Sequence, residues 1–397
     1  MSAAHGVPPR GAPQGATDTL TLKVGGKNLT GWQRVSVIRS MDSVPASFDI
    51  QVTEKYPLAP DIDVKPGAPC TVSIGGDLVL TGYVDRYTAS IAAGDHTVRI
   101  AGRSMSEDLV DCSALFDTSG NQPGMQKLNG TALAIAQGLA KPYGVTITSL
   151  AGDGATIPQF NINLGETAWE IIDRVTRYSK LVAYDLPDGS MVMAQAGSEQ
   201  MASGFALGSN VEHADVSYSM DERFSQYEAH FLSTMAFGTD AGVNSPTIGQ
   251  IVKDDGVPRF RKRYIVSEQT ILGRPIAYDR AVWERNRRYG RSQVFNVVCD
   301  SWRDAAGALW APNHLAPIQA TALKLPAPND DVWVIASVSY LRDENGQHAA
   351  LTLMPKQAFD PEPLSLQNIP PMIGDTQGNN PTKPDNTFNP PKQTAQT

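Results

Sequence analysis

The sequence predicts a mainly β protein with α+β parts, in which two antiparallel β-domains related by duplication accompany two smaller α+β domains. Three observations support this prediction. Short runs of β-branched and aromatic residues, separated by Gly-rich turns, fill residues 17–104 and return after residue 213. Between these parts, apolar residues recur at helical spacing. A short motif from the first β-rich part also recurs in the second.

The length and the charge of the chain limit its possible functions. A chain of 397 residues is long enough for about two to four domains. Its net charge of −8 argues against nucleic-acid binding by the chain as a whole. The charge is uneven, since residues 236–291 contain 11 Lys and Arg against 6 Asp and Glu, whereas residues 105–212 contain 5 against 12. The first of these segments is basic and the second is acidic.

Both ends of the chain have the composition of segments without a core. Residues 1–16 are rich in Pro, Gly and Ala, lack the apolar run of a secretory signal, and are expected to form a disordered arm. Residues 360–397 are rich in Pro, Asn, Gln and Thr and are expected to be a tail, either disordered or docked as an extended strap. No run of about 18 apolar residues occurs, so no integral membrane segment is expected.

Residues 17–104 read as short antiparallel strands. Leu20, Leu22 and Val24 alternate with polar residues, and glycine pairs mark turns between later strands. Separate strands are predicted at 78–80 and 83–89, followed by a turn and a strand that ends at residues 102–104. The pattern is typical of a sandwich or barrel whose last hairpin ends near residue 104.

Residues 105–212 are predicted to form a small α+β domain. A helix from Thr131 to Lys141 is ended by Pro142 and Gly144. A second helix begins with Thr167 and Glu170 at the spacing of a capping box, followed by an apolar stripe. Residues 181–194 then form a hairpin around a Pro-Asp-Gly turn.

An internal repeat links the first β-domain to the second. Ser40-Met41-Asp42 is followed by Phe48-Asp49, and Ser219-Met220-Asp221 is followed at the same distance by Tyr227-Glu228. The layout of residues 312–353 also resembles that of residues 69–100. We therefore predict a duplication whose second copy comprises residues 213–235 and 292–359, with a small domain inserted at 236–291.

The inserted segment carries the basic patch of the chain, from Arg259 to Arg291. It includes a helix for which Asp279 is the predicted N-cap and Gly290 the predicted stop. Basic residues interleaved with Phe260 and Tyr264 have the composition of a nucleic-acid surface. The same composition suits an interface with the acidic segment 105–212 of the same or a neighbouring subunit. Contact with protein is the favoured interpretation, and DNA or a membrane surface is the alternative.

The sequence predicts no catalytic, cofactor or metal site. The histidines lack metal-ligand spacing, although a triad assembled in space stays open. The cysteines are odd in number and far apart, which suggests buried apolar side chains in a reducing compartment. These residues are His5, His96, His213, His230, His314 and His348, and Cys70, Cys112 and Cys299. Asp108 and Asp111 have the spacing of an acid/base pair, but solvated or capping carboxylates are the favoured interpretation.

One short segment resembles part of a peptidoglycan-binding module. Residues 165–172 resemble the opening of a LysM module. A capped amphipathic helix explains the same residues and is the favoured interpretation.

Several separate stretches together resemble one known family. They are Gly82–Asp85, Gly102–Ser104, Asp108–Ser113, Gly165–Thr167, Ser219–Tyr227, Arg280–Glu284, Arg287–Ser292 and Leu309–Asn313. In order and spacing they resemble the baseplate hub proteins of Mu-like contractile-tailed phages, over residues 17–359. The resemblance implies two tube-like antiparallel β-barrel domains in each subunit of a homotrimeric ring. Three subunits then present six such domains, which suits a junction between a six-fold tail tube and a three-fold spike.

The resemblance also implies partners and a location. The expected partners are the tail tube protein, the central spike protein, other baseplate proteins, and DNA that passes through the channel without sequence-specific binding. The expected location is the virion tail baseplate after assembly in the host cytoplasm, with no enzymatic activity. Two alternatives stay open: a protein that binds or processes the cell wall through residues 166–184, and a DNA-binding assembly factor.

Overall fold

The computed structural model describes residues 18–53, 64–93, 95–115, 126–230, 250–266, 274–323 and 332–363. The predicted N-terminal arm, His5 and nearly all of the predicted tail lie outside these residues. No helix in the described part of the chain is long and apolar enough to cross a membrane.

The first β-rich part contains seven strands, several of which alternate buried and exposed residues as predicted. They are β1 (Leu20–Val24), β2 (Lys27–Leu29), β3 (Arg34–Ser40), β4 (Ser47–Thr53), β5 (Pro69–Ile74), β6 (Asp77–Ala92) and β7 (Asp95–Ser104). β6 differs from the prediction, because the two strands expected at 78–80 and 83–89 are one strand of 16 residues. A β-bulge between Val84 and Arg86 keeps this long strand paired with β7.

The α+β region contains the predicted helices and hairpin. Its elements are α1 (Glu107–Asp111), β8 (Gln126–Thr131), α2 (Ala132–Ala140), a 3₁₀ helix (Lys141–Tyr143), β9 (Ile147–Ser149), β10 (Thr156–Asn161), α3 (Ala168–Tyr178), β11 (Val182–Asp185) and β12 (Met191–Ala194). The capping box is confirmed: the Glu170 amide donates to Thr167 Oγ1 at 3.2 Å, and the Thr167 amide donates to Glu170 Oε2 at 2.9 Å. Apolar residues of α2 and α3 share a core of their own.

The remaining elements return to β structure around one long helix. They are β13 (Glu199–Gln200), β14 (Phe205–Ala206), β15 (Val211–Tyr218), β16 (Gln226–His230), β17 (Gln250–Lys253), β18 (Lys262–Val266), α4 (Arg274–Arg291), β19 (Gln293–Cys299), β20 (His314–Gln319), a 3₁₀ helix (Thr321–Leu323), β21 (Val332–Asp343), β22 (Gly346–Met354) and a 3₁₀ helix (Lys356–Phe359). The predicted cap positions of α4 are wrong, since Asp279 and Gly290 both lie inside the helix. Gly290 packs closely against Ala358, since a Cβ atom added to Gly290 would lie 2.6 Å from the Cα atom of Ala358.

The mainly β fold class is confirmed, and one curled sheet holds both β-rich parts of the chain. Among the described residues it has 14 strands, in the order β15-β19-β22-β21-β3-β4-β7-β6-β5-β1-β2, with β13, β14 and β20 attached beside β21. Residues from both parts, including Phe48, Phe295 and Trp310, belong to one hydrophobic core. The two parts are therefore joined through backbone pairing and through a common core.

Two sets of five strands within this sheet share one topology. The first unit is β3-β4-β7-β6-β5, and the second unit is β15-β19-β22-β21-β20. Each unit has a β-bulge at the same place, between Val84 and Arg86 in the first and between Ile335 and Ser337 in the second. From these registers, positions in β3 correspond to positions 179 residues later in β15, so that Ser40 corresponds to Ser219.

The second half of the predicted repeat motif is misaligned. Tyr227 lies in β16, which pairs with β17 and β18 in a separate three-stranded sheet. The strand that corresponds to β4 is β19, where Phe295 takes the place of Phe48. The chain leaves the main sheet directly after the Ser219 turn, so β16 lies with the inserted helix α4 and not with the second unit. The agreement between Phe48 and Tyr227 in spacing is accidental.

Candidate functional surface

A polar groove crosses the solvent-facing side of the first unit. It has a volume of about 850 Å³ and spans β21, β3, β4, β7 and β6. Its charged lining residues are Arg34, Asp49, Asp85, Arg86, Arg99, Arg103, Arg342 and Asp343. Most of them stand at the outward positions of strands whose inward positions belong to the core, and the five arginines exceed the three aspartates.

Two of the groove arginines are held by carboxylates. Arg99 Nε donates to the two oxygens of Asp49 at 2.8 and 3.0 Å, and Arg103 Nε donates to Asp85 Oδ2 at 2.7 Å. By contrast, Arg34, Arg86 and Arg342 form no ion pair within the described residues. The groove therefore combines two arginines that carboxylates neutralise with three that have no such partner in the described part of the chain.

At one end of the groove, Arg103 contacts three carboxyl groups, those of Asp85, Glu107 and Asp111. Its Nη2 donates to Asp111 Oδ2 at 2.8 Å, and its Nε lies 3.1 Å from Glu107 Oε2. Burial, and secondly the charge of nearby Asp85, raises the pKa of Glu107 to about 8, which favours its protonated form. The hydrogen bond from Arg103 lowers the pKa of Asp111. Asp111 is thus an ion-pair partner, and the acid/base interpretation of Asp108 and Asp111 gains no support.

The basic patch predicted from Arg259 to Arg291 is largely engaged within the chain. Arg288 pairs with Glu222 and Glu284, and Arg291 pairs with Asp42 at 2.6 Å. Further contacts are those of Arg261 with the carbonyl oxygens of Met220 and Asp221, of Lys262 with Glu228, of Arg263 with Glu284, and of Arg280 with Glu362. These basic groups thus stabilise the position of the inserted segment.

The partners of this patch differ from the expected ones. The carboxylates in its direct ion pairs lie outside the acidic segment 105–212. A longer-range attraction between Arg287 and Asp173 reaches into that segment. The ion pairs named above thus link the patch to other parts of the chain. Phe260 and Tyr264 remain 74% and 62% exposed, so the aromatic part of the patch is still available to a partner.

Three of the histidines each lie beside one carboxylate. His230, His314 and His348 each have a ring nitrogen within 2.9 Å of a glutamate oxygen. Among the described residues, no group of three His, Cys, Asp or Glu could hold a metal ion.

The cysteines are free, and two of them are buried. Cys70 and Cys299 lie in the core, as the sequence predicts, whereas Cys112 is only partly buried. Burial raises the pKa of the Cys70 thiol to about 12 and also raises the pKa of Cys299.

The segment resembling a LysM opening is explained by local structure. Glu166 accepts hydrogen bonds from Arg174 at 2.8 and 3.1 Å, and these bonds lower the pKa of its carboxyl group. Glu170 completes the capping box of α3. Both carboxylates are thus engaged in holding α3.

Three parts of the chain match protein families of phage baseplates. The family described as Mu phage baseplate assembly protein GpP-like, N-terminal, matches residues 19–104. The second domain of the baseplate hub protein gp44-like family matches residues 106–195, and the fourth domain of Mu phage GpP matches residues 274–362. Baseplate hub protein gp44 of Escherichia phage Mu is 31% identical over 350 residues, which cover 86% of this chain and 89% of gp44. This chain belongs to the Mu-like baseplate hub family.

Solved structures agree with membership of the hub family. The 43 kDa tail protein of prophage MuSo2 from Shewanella oneidensis superimposes with a TM-score of 0.75 at 29% identity, over 86% of this chain and 99% of that protein. A tail protein of Neisseria meningitidis MC58 has the same fold, with a TM-score of 0.70 at 20% identity, over 87% of this chain and 98% of that protein. As a member of the hub family, the protein is a structural component of a phage tail.

The groove residues of this hub-family protein did not stand out in the sequence. Arg34, Arg86 and Arg99 are separated along the chain and form no motif. Their position was the one feature of the sequence that could have indicated a surface role, since each occupies an outward site on a predicted strand. Only strand pairing brings them onto one surface.

Proposed function

We propose that the protein is the homotrimeric hub of a phage baseplate, which joins the six-fold tail tube to the three-fold central spike. The observation that carries this proposal is the pair of five-strand units with one topology and one bulge position. Three chains contribute six such units, so one ring can match six-fold and three-fold neighbours on its two sides. A duplication of one tube-like domain is the proposed origin of the two units.

The proposed hub contacts the tail tube protein, the central spike protein and other baseplate proteins. It is located in the virion tail after assembly in the host cytoplasm, and it acts as a structural protein without catalysis. Membership of the hub family supports this role. The domain division at residues 16, 104, 212, 291 and 359 is part of the proposal. The inserted domain is extended backwards from residue 236 to include β16, because β16 pairs with β17 and β18.

The hub is also proposed to form the end of the channel through which DNA leaves the virion. Two unpaired arginines of the groove, Arg34 and Arg86, suit brief contact with phosphates that carries no sequence information. Removing both charges should weaken binding to duplex DNA and flatten its dependence on salt. A variant that removes the charges of Arg259 and Lys253 is the matched control.

The decisive experiment is the oligomeric state of the purified chain. Light scattering should give a mass three times the 42.7 kDa of one chain, and electron microscopy should show rings with three-fold or pseudo-six-fold symmetry. A monomer at all concentrations, with no rings, would overturn the proposal. The cell-wall alternative is not proposed, because Glu166 and Glu170 are engaged within the chain.

A further inference from the structure

The junction between the two units within one chain shows how such units join. There β3 of the first unit pairs antiparallel with the C-terminal half of β21 of the second unit, with Val37 opposite Tyr340 and Val35 opposite Arg342. The junction buries the inward side chains completely or nearly so: Val37, Val338 and Tyr340 are 0% exposed and Val35 is 3% exposed. One edge strand of a unit is thus covered by the long strand of the next.

The strand that corresponds to β3 in the second unit has no such cover. β15 pairs with β19 along one edge, and among the described residues its other edge is unpaired from residue 213 to 218. Its inward residues are correspondingly open. Val216, which corresponds to Val37, is only half-buried, and Tyr218 is 47% exposed. An uncovered edge of this length is a ready template for another strand.

The strand that corresponds to β21 in the first unit is uncovered in the same way. β6 pairs with β5 only as far as Tyr83, so within the described chain its second edge is free from Asp85 to Ala92. Ile91, which corresponds to Arg342, is 80% exposed. Ala89, which corresponds to the fully buried Tyr340, is exposed as well. The described part of each chain therefore has one free edge of each kind.

We propose that β15 of one subunit pairs antiparallel with residues 86–91 of β6 in a second copy of this chain. The register follows from the junction within the chain: Val216 lies opposite the partner subunit's Ala89, and Ala214 lies opposite the partner subunit's Ile91. The pairing satisfies backbone groups on both edges and removes Ile91 from water. It rests on the proposed ring and specifies the contact that closes it.

The second copy is the fitting occupant for two reasons. The two edges correspond to the two strands that already pair at the junction within the chain, so their shape and register match. The same register also places Tyr218 opposite the partner subunit's Tyr87, which allows an aromatic cross-strand pair. Because every chain donates one edge and accepts another, the contact is head-to-tail and three copies close into a ring of six units.

Disulfide trapping in the full-length chain tests the register. The variants Val216→Cys/Ala89→Cys and Ser217→Cys/Thr88→Cys place cysteines opposite each other in neighbouring pairs, of which one is the closer, non-hydrogen-bonded kind. Mild oxidation should yield a covalent trimer on a non-reducing gel. The slipped variant Ser217→Cys/Ala89→Cys is the matched control, because its side chains point to opposite faces. Cross-linking by the slipped variant to the same extent would overturn the register.

A substitution in the free edge tests the contact without cross-linking. Ile91→Asp should raise at least tenfold the protein concentration at which the oligomer dissociates on dilution, as measured by light scattering. Its circular dichroism spectrum should stay that of the parent. Ile251→Asp, at a residue 52% exposed on the inserted sheet, should leave the oligomer unchanged. If the parent protein is monomeric, the proposed ring itself is overturned. A trimeric parent whose assembly is unaffected by Ile91→Asp would overturn this contact alone.

Discussion

Phe48 and Phe295 occupy corresponding positions in the two five-strand units. Phe48 lies opposite Val37 on the neighbouring strand, and Phe295 lies opposite Val216 in the same register. Both rings are buried in the core that the two units share. The units are thus alike in their inward residues as well as in their topology, although the sequence between their first and second strands differs greatly in length.

The two phenylalanines should contribute similarly to stability. Phe48→Ala or Phe295→Ala should each lower the free energy of unfolding by about 3–5 kcal/mol, because a large cavity remains in a close-packed core. Phe260→Ala, at a ring 74% exposed, should change it by no more than about 0.5 kcal/mol. Thermal unfolding of the three variants checks this, and similar melting points for all three would contradict it.

Glu107 should make stability depend on pH near neutrality. Its pKa is raised from 4.5 to about 8 in the folded chain, so folding favours the protonated form. The resulting stabilisation is complete below the unfolded pKa and is lost as the pH rises through about 8. Glu107→Gln keeps a neutral side chain at all pH values. The melting temperature of Glu107→Gln minus that of the parent should therefore increase from pH 4.5 to pH 8, because only the parent loses stability over this interval. Above pH 8 this difference should stay constant.

The control for Glu107 is Asp255→Asn, which removes a carboxylate on the exposed surface. Its melting temperature relative to the parent should show no such rise over the same interval. A pH-independent difference between Glu107→Gln and the parent would contradict the raised pKa.

The ion pair between Arg223 and Asp254 should be important for the inserted sheet. Both side chains are only 9% exposed, and the guanidinium donates at 2.9 to 3.1 Å to the two carboxylate oxygens. Arg223→Met leaves a buried carboxylate without its partner and should cost about 3–5 kcal/mol. Arg291→Met breaks a pair with side chains 39% and 38% exposed and should cost at most about 1 kcal/mol.

Hydrogen exchange separates these two variants. The amides of β16 should lose protection in Arg223→Met and keep it in Arg291→Met. The double variant Arg223→Met/Asp254→Leu should recover part of the loss, because the unpaired charge is gone. A double variant as unstable as Arg223→Met would show that the lone carboxylate is not the cause.

The three cysteines should differ in reactivity. Cys70 and Cys299 are buried and their pKa values are raised by burial, so thiolate formation and reagent access are both suppressed. Burial and the charge of Asp108 also raise the pKa of Cys112, but this thiol is only partly buried, so a reagent can reach it. A thiol reagent on the native protein should modify one site per chain rapidly, as read by intact mass. Cys112→Ser should abolish that fast step, and a fast step that persists would contradict the assignment.

The sequence alone determined the local structure of this protein. The alternation around Leu22 and Ile50 predicts strands and their buried faces, and the pair Thr167 and Glu170 predicts the start of a helix. These features depend on residues close together in the chain. The Ser-Met-Asp motif at residue 40 recurs at residue 219, and the serine hydroxyl of each copy accepts a hydrogen bond from the amide two residues later.

Only the tertiary structure decided which strands are neighbours. Alternation shows which face of a strand is buried but not which strand lies beside it, so Tyr227 was aligned with Phe48 although β19 takes that place. The arginine groove and the uncovered edges at Val216 and Ile91 exist only because distant segments pair in one register. Backbone hydrogen bonds between distant residues fix that register, and these bonds leave no periodic signal in the sequence.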